Sequence, residues 1–512
     1  MPAGLETELK LRFTGEESWG KMCGDPFLRK REIPGTRRSV KLETVYYDTP
    51  SHALKKERLA YRVRRQGEEW VATVKADGLA GGGLHQRREW SAAATGPKPD
   101  IGLFLRTPVG ERLEKALGEE ALGELFRTDF QRTSIELKLP GGGCVEFAAD
   151  LGEIRAGSRR SCIREIELEL KEGSIAELLR LAAMLARRYP LFPEAKSKYY
   201  RGLELAGLEP LREETMVEKP AILPSDETEE AFGMVLAACI RAAVSELESF
   251  INSPAGFQVV CRFRSALWRF FSVLALCKEL VSKNDYEVKR KDLLGLIKET
   301  DRLWEVDALL EAVRKIEAAN SAGEEKNSRL QDFLSGMLEA QRQNFAEKAA
   351  GGRFTPVLLD LWGWVLDFPR KNKKTGMPTI GEFMEKKLVS LAKKMIAGGQ
   401  PGDFSGASQA YSLFAGFIEL QSNFEQFGTF GDKDTSALSA SLGKIRDQLA
   451  ALHGIHRSRD LLTRISAGAA QADICAEAGR FEELLAAEER VLRCKLPESW
   501  ERFRDEAERF VK

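Results

Sequence analysis

Along the first 205 residues apolar and polar side chains alternate with a period of two. Leu5, Thr7, Leu9, Leu11 and Phe13 interleave with Glu6, Glu8, Lys10 and Arg12. The same alternation returns at 40–48, 59–65, 70–76, 84–91, 128–139, 144–150 and 162–171, and turn signals such as Gly141-Gly142-Gly143 separate the segments. That predicts eight strands. Helical spacing is found at 111–126 and 174–189. A mainly antiparallel sheet of eight strands with a few helices can close into a barrel. Near residue 205 the character changes. Pro210, Pro220 and Pro224 mark residues 206–226 as a linker, and beyond it the spacing is helical at 229–250, 258–280, 291–319, 330–348, 356–368, 381–397, 435–465 and 473–492. The expected organisation is α+β: an N-terminal β-barrel domain over 1–205, a linker over 206–226, and an all-α bundle over 227–512.

Charge narrows the partners. The 512 residues carry 78 Lys and Arg against 78 Asp and Glu, a balance that disfavours a nucleic-acid binder. No apolar run approaches the ~18 residues that span a bilayer, and Glu6, Glu8 and Lys10 interrupt any apolar leader at the N-terminus. The eight cysteines include no C-x-x-C pair and read as reduced thiols. A cytoplasmic protein without nucleic-acid or membrane partners is expected.

The strand faces carry the chemistry. Side chains at i and i+2 share a face about 7 Å apart. Glu6, Glu8, Lys10 and Arg12 therefore stand together, as do Arg62 with Arg64, Thr73 with Lys75, Glu146 with Asp150, and Glu165 with Glu167, Glu169 and Lys171. An open sheet would turn such faces to water. A closed barrel turns them into a charged lumen and leaves its apolar exterior to be covered by helices. Charges of both signs in so confined a space are tolerable if a polyanion and its metals bind there, with carboxylates holding Mg²⁺ or Mn²⁺ and Arg and Lys gripping phosphate oxygens.

Glu6-Thr7-Glu8-Leu9-Lys10 matches the E-x-E-x-K opening of the CYTH, or triphosphate tunnel metalloenzyme, family. It is followed in order by Tyr46-Tyr47-Asp48-Thr49-Pro50, Arg62-Val63-Arg64, Lys75, the segment Gly82 to Glu89, Arg132, Glu146 and Asp150, Glu165-Ile166-Glu167-Leu168-Glu169, and Lys198. The chain thus resembles bacterial inorganic triphosphatases in which a CYTH domain precedes a helical CHAD domain. The resemblance implies an eight-stranded tunnel that binds triphosphates with divalent metals, a two-metal site included. It implies metal-binding roles for Glu6, Glu8, Asp150, Glu165 and Glu167, and triphosphate-binding roles for Lys10, Arg62, Arg64, Lys75, Arg132 and Lys198. Among these, Lys10, Lys75 and Arg62 are the catalytic candidates. Arg88, Glu89, Glu146 and Glu169 are expected to line the tunnel. His85 is not expected to be a general base, and His52, His453 and His456 are expected at the surface. The implied reaction is hydrolysis of inorganic triphosphate to pyrophosphate and phosphate.

The helical half resembles CHAD domains more loosely. Their basic, polyphosphate-binding helix corresponds here to Cys261-Arg262-Phe263-Arg264 and Trp268-Arg269-Phe270-Phe271. Arg264 and Arg269 persist, but Cys261 stands for the histidine, and Trp268 and Phe271 stand for arginines. The spacing of Cys261, Trp268 and Phe271 suggests core packing. Residues 221–512 hold 40 basic and 43 acidic side chains, a net of −3, so polyphosphate is expected to bind weakly there. Two other readings share these features: a polyphosphate-binding or scaffold protein without turnover, and a class IV adenylyl cyclase or thiamine triphosphatase on the same tunnel.

Overall fold

The structure, a computed structural model, describes residues 4–209, 214–215, 220–253, 257–320, 328–372, 378–398, 436–468 and 471–512, together with 416–418, 420, 421, 423 and 427. All eight expected strands form: β1 (Gly4–Phe13), β2 (Arg38–Asp48), β3 (Leu59–Gln66), β4 (Glu69–Gly81), β5 (Leu84–Ala94), β6 (Gly123–Lys138), β7 (Cys144–Ala156) and β8 (Arg159–Glu172). They pair antiparallel in the order β4-β3-β2-β6-β7-β8-β1-β5, and the β4–β5 pairing closes the barrel. Closure removes both sheet edges. A short β9 (Leu191–Pro193) extends β1 beyond the end of β5.

The alternation read from the sequence becomes an inside and an outside. Outward residues of β2 to β5, among them Tyr47, Tyr61, Val63, Val74 and Trp90, pack beneath Leu54, Phe104 and Leu113 of the covering segments. Inward residues at one end of the barrel are apolar: Leu42, Phe126, Phe130, Ile154 and Ile163 form a plug with Leu203 of a helix over Lys198–Leu205. Gly202 of that helix lies so close to the Phe126 ring that a Cβ would meet it at 2.1 Å, which fixes the helix against the plug. The rest of the inward face is charged.

One expected element is corrected. The helical spacing at 111–126 holds only over Gly110–Leu117, because Gly118 turns into the left-handed region (φ 55°) and ends the helix. Residues 123–126 belong instead to β6, whose first turns alternate as a strand.

Within the expected linker Glu214–Thr215 pairs parallel with Leu79–Ala80 of β4, and from Thr228 on the described elements are helical, as expected: Thr228–Asn252, Phe257–Leu276, Lys283–Asn320, Arg329–Ala350, Thr355–Asn372, Ile380–Gly398, Ser436–Gly468 and Ala472–Val511. Of the expected elements, Thr435 and the linker residues 210–213 and 216–219 lie outside the described residues. The chain divides into two compact units, and the division does not follow the sequence. The barrel's unit also takes in residues 240–253 and 348–367, while the second unit takes 220–239, 254–347 and 368–512. Within the second unit Val306, Leu309, Leu310 and Val313 pack with Leu461, Leu462, Phe481 and Leu485 as a core. Among the described residues no helix is long and apolar enough to cross a membrane.

His453 and His456 are not surface residues. His453 lies against Trp304, and His456 Nε2 is 3.1 Å from a carboxylate oxygen of buried Glu489. Cys261, Trp268 and Phe271 are not core either; they are half-buried on the wall of an open cavity.

Candidate active site

Strand register stacks the lumen charges in layers. On β1, Glu8 stands opposite Glu169, Lys10 opposite Glu167, and Arg12 opposite Glu165. On β7, Glu146 faces Glu169 and Asp150 faces Glu165, and Arg132 of β6 faces Asp150. Across the barrel Tyr46 of β2 faces Arg62, and Lys75 of β4 faces Glu89 of β5. These layers enclose a cavity of about 150 Å³. Seven basic side chains line it (Lys10, Arg62, Arg64, Lys75, Arg87, Arg132 and Lys198), against six acidic ones (Glu6, Glu8, Glu89, Glu146, Glu167 and Glu169).

The acidic wall is tightly paired. Lys10 Nζ donates to Glu167 Oε1 at 2.9 Å and lies 3.2 Å from Glu8. Lys198 Nζ reaches Asp150 at 2.7 Å, Glu167 at 3.0 Å, and Glu165. Arg132 grips Asp150 with two bonds of 2.7 Å and also reaches Glu167. Asp150 and Glu165 are fully buried and lie beneath the lumen surface rather than on it. With Glu167 they form a group in which one carboxylate oxygen from each lies within 4.8 Å of the others, hard donors of the kind that hold a divalent cation. Glu6 and Glu8 sit further along β1, outside that group. Lys75 pairs with Glu6 at 2.6 Å and with Glu89 at 2.7 Å.

The opposite wall is short of counter-charge. Arg62 comes no nearer than 4.0 Å to Glu89, and its buried Nε has no hydrogen-bond partner. Arg64 donates to Thr44 Oγ1 at 3.1 Å and pairs with no carboxylate among the described residues. Burial, then Arg62 and Arg132 beside it, push the Arg64 guanidinium down to about 9. Burial would raise the Glu8 carboxyl, but Lys10 and Arg87 hold it at about 2. Asp150 and Glu167 are likewise held low against their burial, chiefly by Arg132 and Lys198 for the first and by Lys10 and Lys198 for the second. Arg64, Glu8, Asp150 and Glu167 therefore stay ionised at neutral pH.

Most residues singled out from the sequence meet here; Arg88 does not. It is exposed, because its side chain alternates away from Glu89, and Arg87 takes the lumen place instead. Arg87 Nη2 lies 3.2 Å from Glu8 and 3.0 Å from His85 Nδ1. Its parity with Glu89 was the available signal. His85 is buried with Nε2 on the Glu194 carbonyl, a supporting position rather than a reactive one. Tyr46 faces the lumen and Tyr47 the outside, where its hydroxyl donates to Pro97 O. Tyr199 also lines the cavity, beside Tyr46 (centroids 5.6 Å apart), so an aromatic pair is present that the sequence did not reveal.

A second unforeseen group lies within the barrel's unit. Ser197 caps the helix that begins at Lys198, so the strap 194–197 decides where the Lys198 ammonium stands. Residue 194 is anchored to Lys10 O through its amide and to Arg12 through its carboxylate at 2.9 Å. The next amide, Ala195 N, donates to Glu248 Oε1 at 2.6 Å. Burial pushes the Glu248 carboxyl up, the Ala195 amide offsets part of that, and Glu194 adds to it, leaving it at about 7. An acid with a raised folded pKa stabilises fully below its ordinary value of 4.5 and loses that stabilisation as pH rises through 7. Glu248→Gln keeps the acceptor oxygen without the charge. It is expected to stabilise the protein by on the order of 1–3 kcal/mol near pH 8 and by almost nothing near pH 5. Thermal melts of both proteins at the two pH values check this; an equal effect at both would show that Glu248 does not titrate in this range.

Comparison with known proteins agrees with the geometry. Residues 5–203 match the model of the CYTH domain family. An inorganic triphosphatase of Haemophilus influenzae is 32% identical over 161 residues, 31% of this chain and 45% of that protein, so the match spans under half of the curated relative. Among solved structures, a Hippeastrum protein described as an adenylyl cyclase with a dominant triphosphatase activity matches 40% of this chain and 96% of its own, at 17% identity and a TM-score of 0.30. The CHAD domain of Ricinus communis matches 57% of this chain and 94% of its own, at 17% identity and a TM-score of 0.46. The match to the CYTH domain model and the closed, eight-stranded barrel with its charged lumen coincide over the same residues, 5–203.

Proposed function

We propose that the barrel is a metal-dependent triphosphatase that hydrolyses inorganic triphosphate to pyrophosphate and phosphate. The observation that supports it most is the distribution of lumen charge. Seven basic and six acidic groups nearly cancel over the whole lining, yet Arg62 and Arg64 stand on a wall poor in carboxylates. A nearly neutral lumen does not favour a bare polyanion; it favours one that arrives with its cations. The cationic wall takes phosphate oxygens, and the carboxylates Glu6, Glu8, Glu167, Asp150 and Glu165 fit two magnesium or manganese ions. When bound, such ions neutralise phosphate charge and lower the pKa of a water for in-line attack.

The chain's own groups do the rest. Arg62, Arg64 and Arg132 bind oxygens of the phosphoryl group being transferred, where charge-assisted bonds are strongest. Lys10 and Lys75 hold the departing pyrophosphate, each already positioned by flanking carboxylates. Lys198, held among three carboxylates, fixes their geometry and binds triphosphate from below. Phosphate release from triphosphate, with and without Mg²⁺ or Mn²⁺, tests this directly. Binding without release would favour the scaffold reading.

The Tyr46–Tyr199 pair favours a second reading, in which a nucleoside or thiamine triphosphate is the substrate. Three features oppose it. Tyr46 stacks on Phe126 at 4.6 Å, the cavity lies below the range of sites that enclose an organic ligand, and an esterified α-phosphate forfeits contacts to arginine. Two lost charge-assisted hydrogen bonds cost ~1.5–3 kcal/mol each. Inorganic triphosphate is therefore expected to exceed ATP in kcat/KM by a factor on the order of 10² or more, under one metal and pH. Comparable values would transfer the protein to a general nucleoside triphosphatase, and cyclic AMP among the products would make it a cyclase.

We read the helical region as CHAD-like and its affinity for polyphosphate as weak. Arg264, one of the two matching arginines, is occupied by Asp301 at 2.7 Å, Thr300 Oγ1 and the Ile297 carbonyl.

A further inference from the structure

The second unit encloses a cavity of about 790 Å³, within the size range of sites for small organic ligands. One wall is the stripe Cys261, Arg264, Trp268 and Phe271 on the helix Phe257–Leu276. Leu294, Ile297 and Trp304 of the helix Lys283–Asn320 form a second wall, and His453 and Arg457 of the helix Ser436–Gly468 a third.

Three observations say what it would hold. Aromatic side chains that point at a core would be covered; Trp268 and Phe271 stay half-buried against open space. Trp304 presents its ring between the Arg264 guanidinium, 5.5 Å from the ring centre, and the nearly parallel His453 ring. Burial, then His456 and Arg264, lower the His453 pKa below its ordinary 6.5, which favours the uncharged ring. Cations surround this aromatic surface. Lys298 and Lys394 are exposed at its edge with no ion-pair partner among the described residues; Arg457 pairs with Glu305 through Nη2, but its buried Nε has no hydrogen-bond acceptor.

We propose that this cavity binds a small aromatic anion of the nucleoside monophosphate class, its ring on Trp268 and its phosphate on Arg457, Lys298 and Lys394. The walls bracket that chemistry from both sides. A bare phosphate chain would press charged oxygens against Trp268, Phe271 and Leu294. A wholly apolar ligand would strip water from the arginines and lysines without replacing it. A flat ring with one anionic group satisfies both, by stacking and by charge-assisted hydrogen bonds. The inference is independent of what the barrel hydrolyses.

The test is calorimetric titration of the full chain with AMP in EDTA, which removes the divalent ions a tunnel ligand would need. Saturable binding is expected, weakened at least about tenfold by Trp268→Ala and likewise by the surface pair Lys298→Glu with Lys394→Glu, which leaves the interior untouched. Arg64→Ala in the barrel should leave it unchanged, and adenosine and inorganic phosphate should each bind at least about tenfold more weakly than AMP. The proposal is overturned by the absence of saturable AMP binding up to about 1 mM, by affinity unchanged in either cavity variant, by loss of binding in the barrel variant, or by adenosine or phosphate binding as tightly as AMP.

Discussion

Glu8→Gln is expected to lower kcat for triphosphate hydrolysis by about 10³-fold or more and to leave the barrel folded. The carboxylate is almost wholly buried, held near pKa 2, and faces the cavity from the middle of β1. Glutamine keeps its size and an acceptor oxygen for Lys10 and Arg87, but not the charge that would neutralise a divalent ion. Stability should suffer little, because Lys10 retains Glu167 at 2.9 Å and Arg87 retains His85 at 3.0 Å. The loss should therefore appear in kcat at saturating substrate, with circular dichroism and melting temperature near those of the unmodified protein. Excess Mg²⁺ or Mn²⁺ should not restore it. Turnover near the unmodified rate would remove Glu8 from the metal site and, with it, the functional meaning of the E-x-E-x-K opening.

What the sequence showed, and what it hid, follows from the range over which each signal acts. Strand periodicity is local, so all eight strands were legible, and charges recurring at i and i+2 on several strands pointed to a lumen. Parity was legible as well, and it places Arg87 with Glu89; the run Gln86-Arg87-Arg88-Glu89 offers two adjacent arginines, and only the face they share with Glu89 separates them. The end of the helix at Gly118 was harder, because Leu122 and Phe126 continue a helical spacing that the left-handed glycine breaks. Depth was not legible at all. Glu165, Glu167 and Glu169 read alike along β8, yet Glu165 is sealed under Lys198 and Arg201, while Glu167 and Glu169 open onto the cavity. Nor could alternation show that Glu248, 53 residues beyond Ala195, hydrogen-bonds the strap before Lys198. Contacts of that span are set by tertiary packing, which leaves no periodic trace.

The largest effect on stability is expected at Lys198. Its ammonium is the one cation that reaches all three of Asp150, Glu165 and Glu167 among the described residues, and removing one partner of a buried ion pair costs about 3–5 kcal/mol. Lys198→Met, which keeps the length of the chain, should lower stability by that order at neutral pH in EDTA. The cost is bounded because Asp150 keeps its two bonds to Arg132 and Glu165 keeps Arg201 at 3.3 Å. Its pH dependence has a definite sign. In the unmodified protein Lys198 helps to hold Asp150 and Glu167 low, and that stabilisation is present above ordinary carboxylate pKa values and lost as pH falls through the depressed ones. The difference between the two proteins should therefore shrink as pH drops below about 4.5. A divalent ion provides the second readout. With the ammonium gone, three carboxylate oxygens within 4.8 Å face the space it left, so Mg²⁺ or Mn²⁺ should raise the melting temperature of the variant more than that of the unmodified protein. An ion at a hundred times its dissociation constant would recover about 2.7 kcal/mol. A variant as stable as the original in EDTA would show that Lys198 is not the cation that holds these carboxylates together. A variant that is destabilised but indifferent to metal would show that Asp150, Glu165 and Glu167 are a structural ion-pair network, and would leave metal binding to Glu6 and Glu8 with the lumen carboxylates beside them.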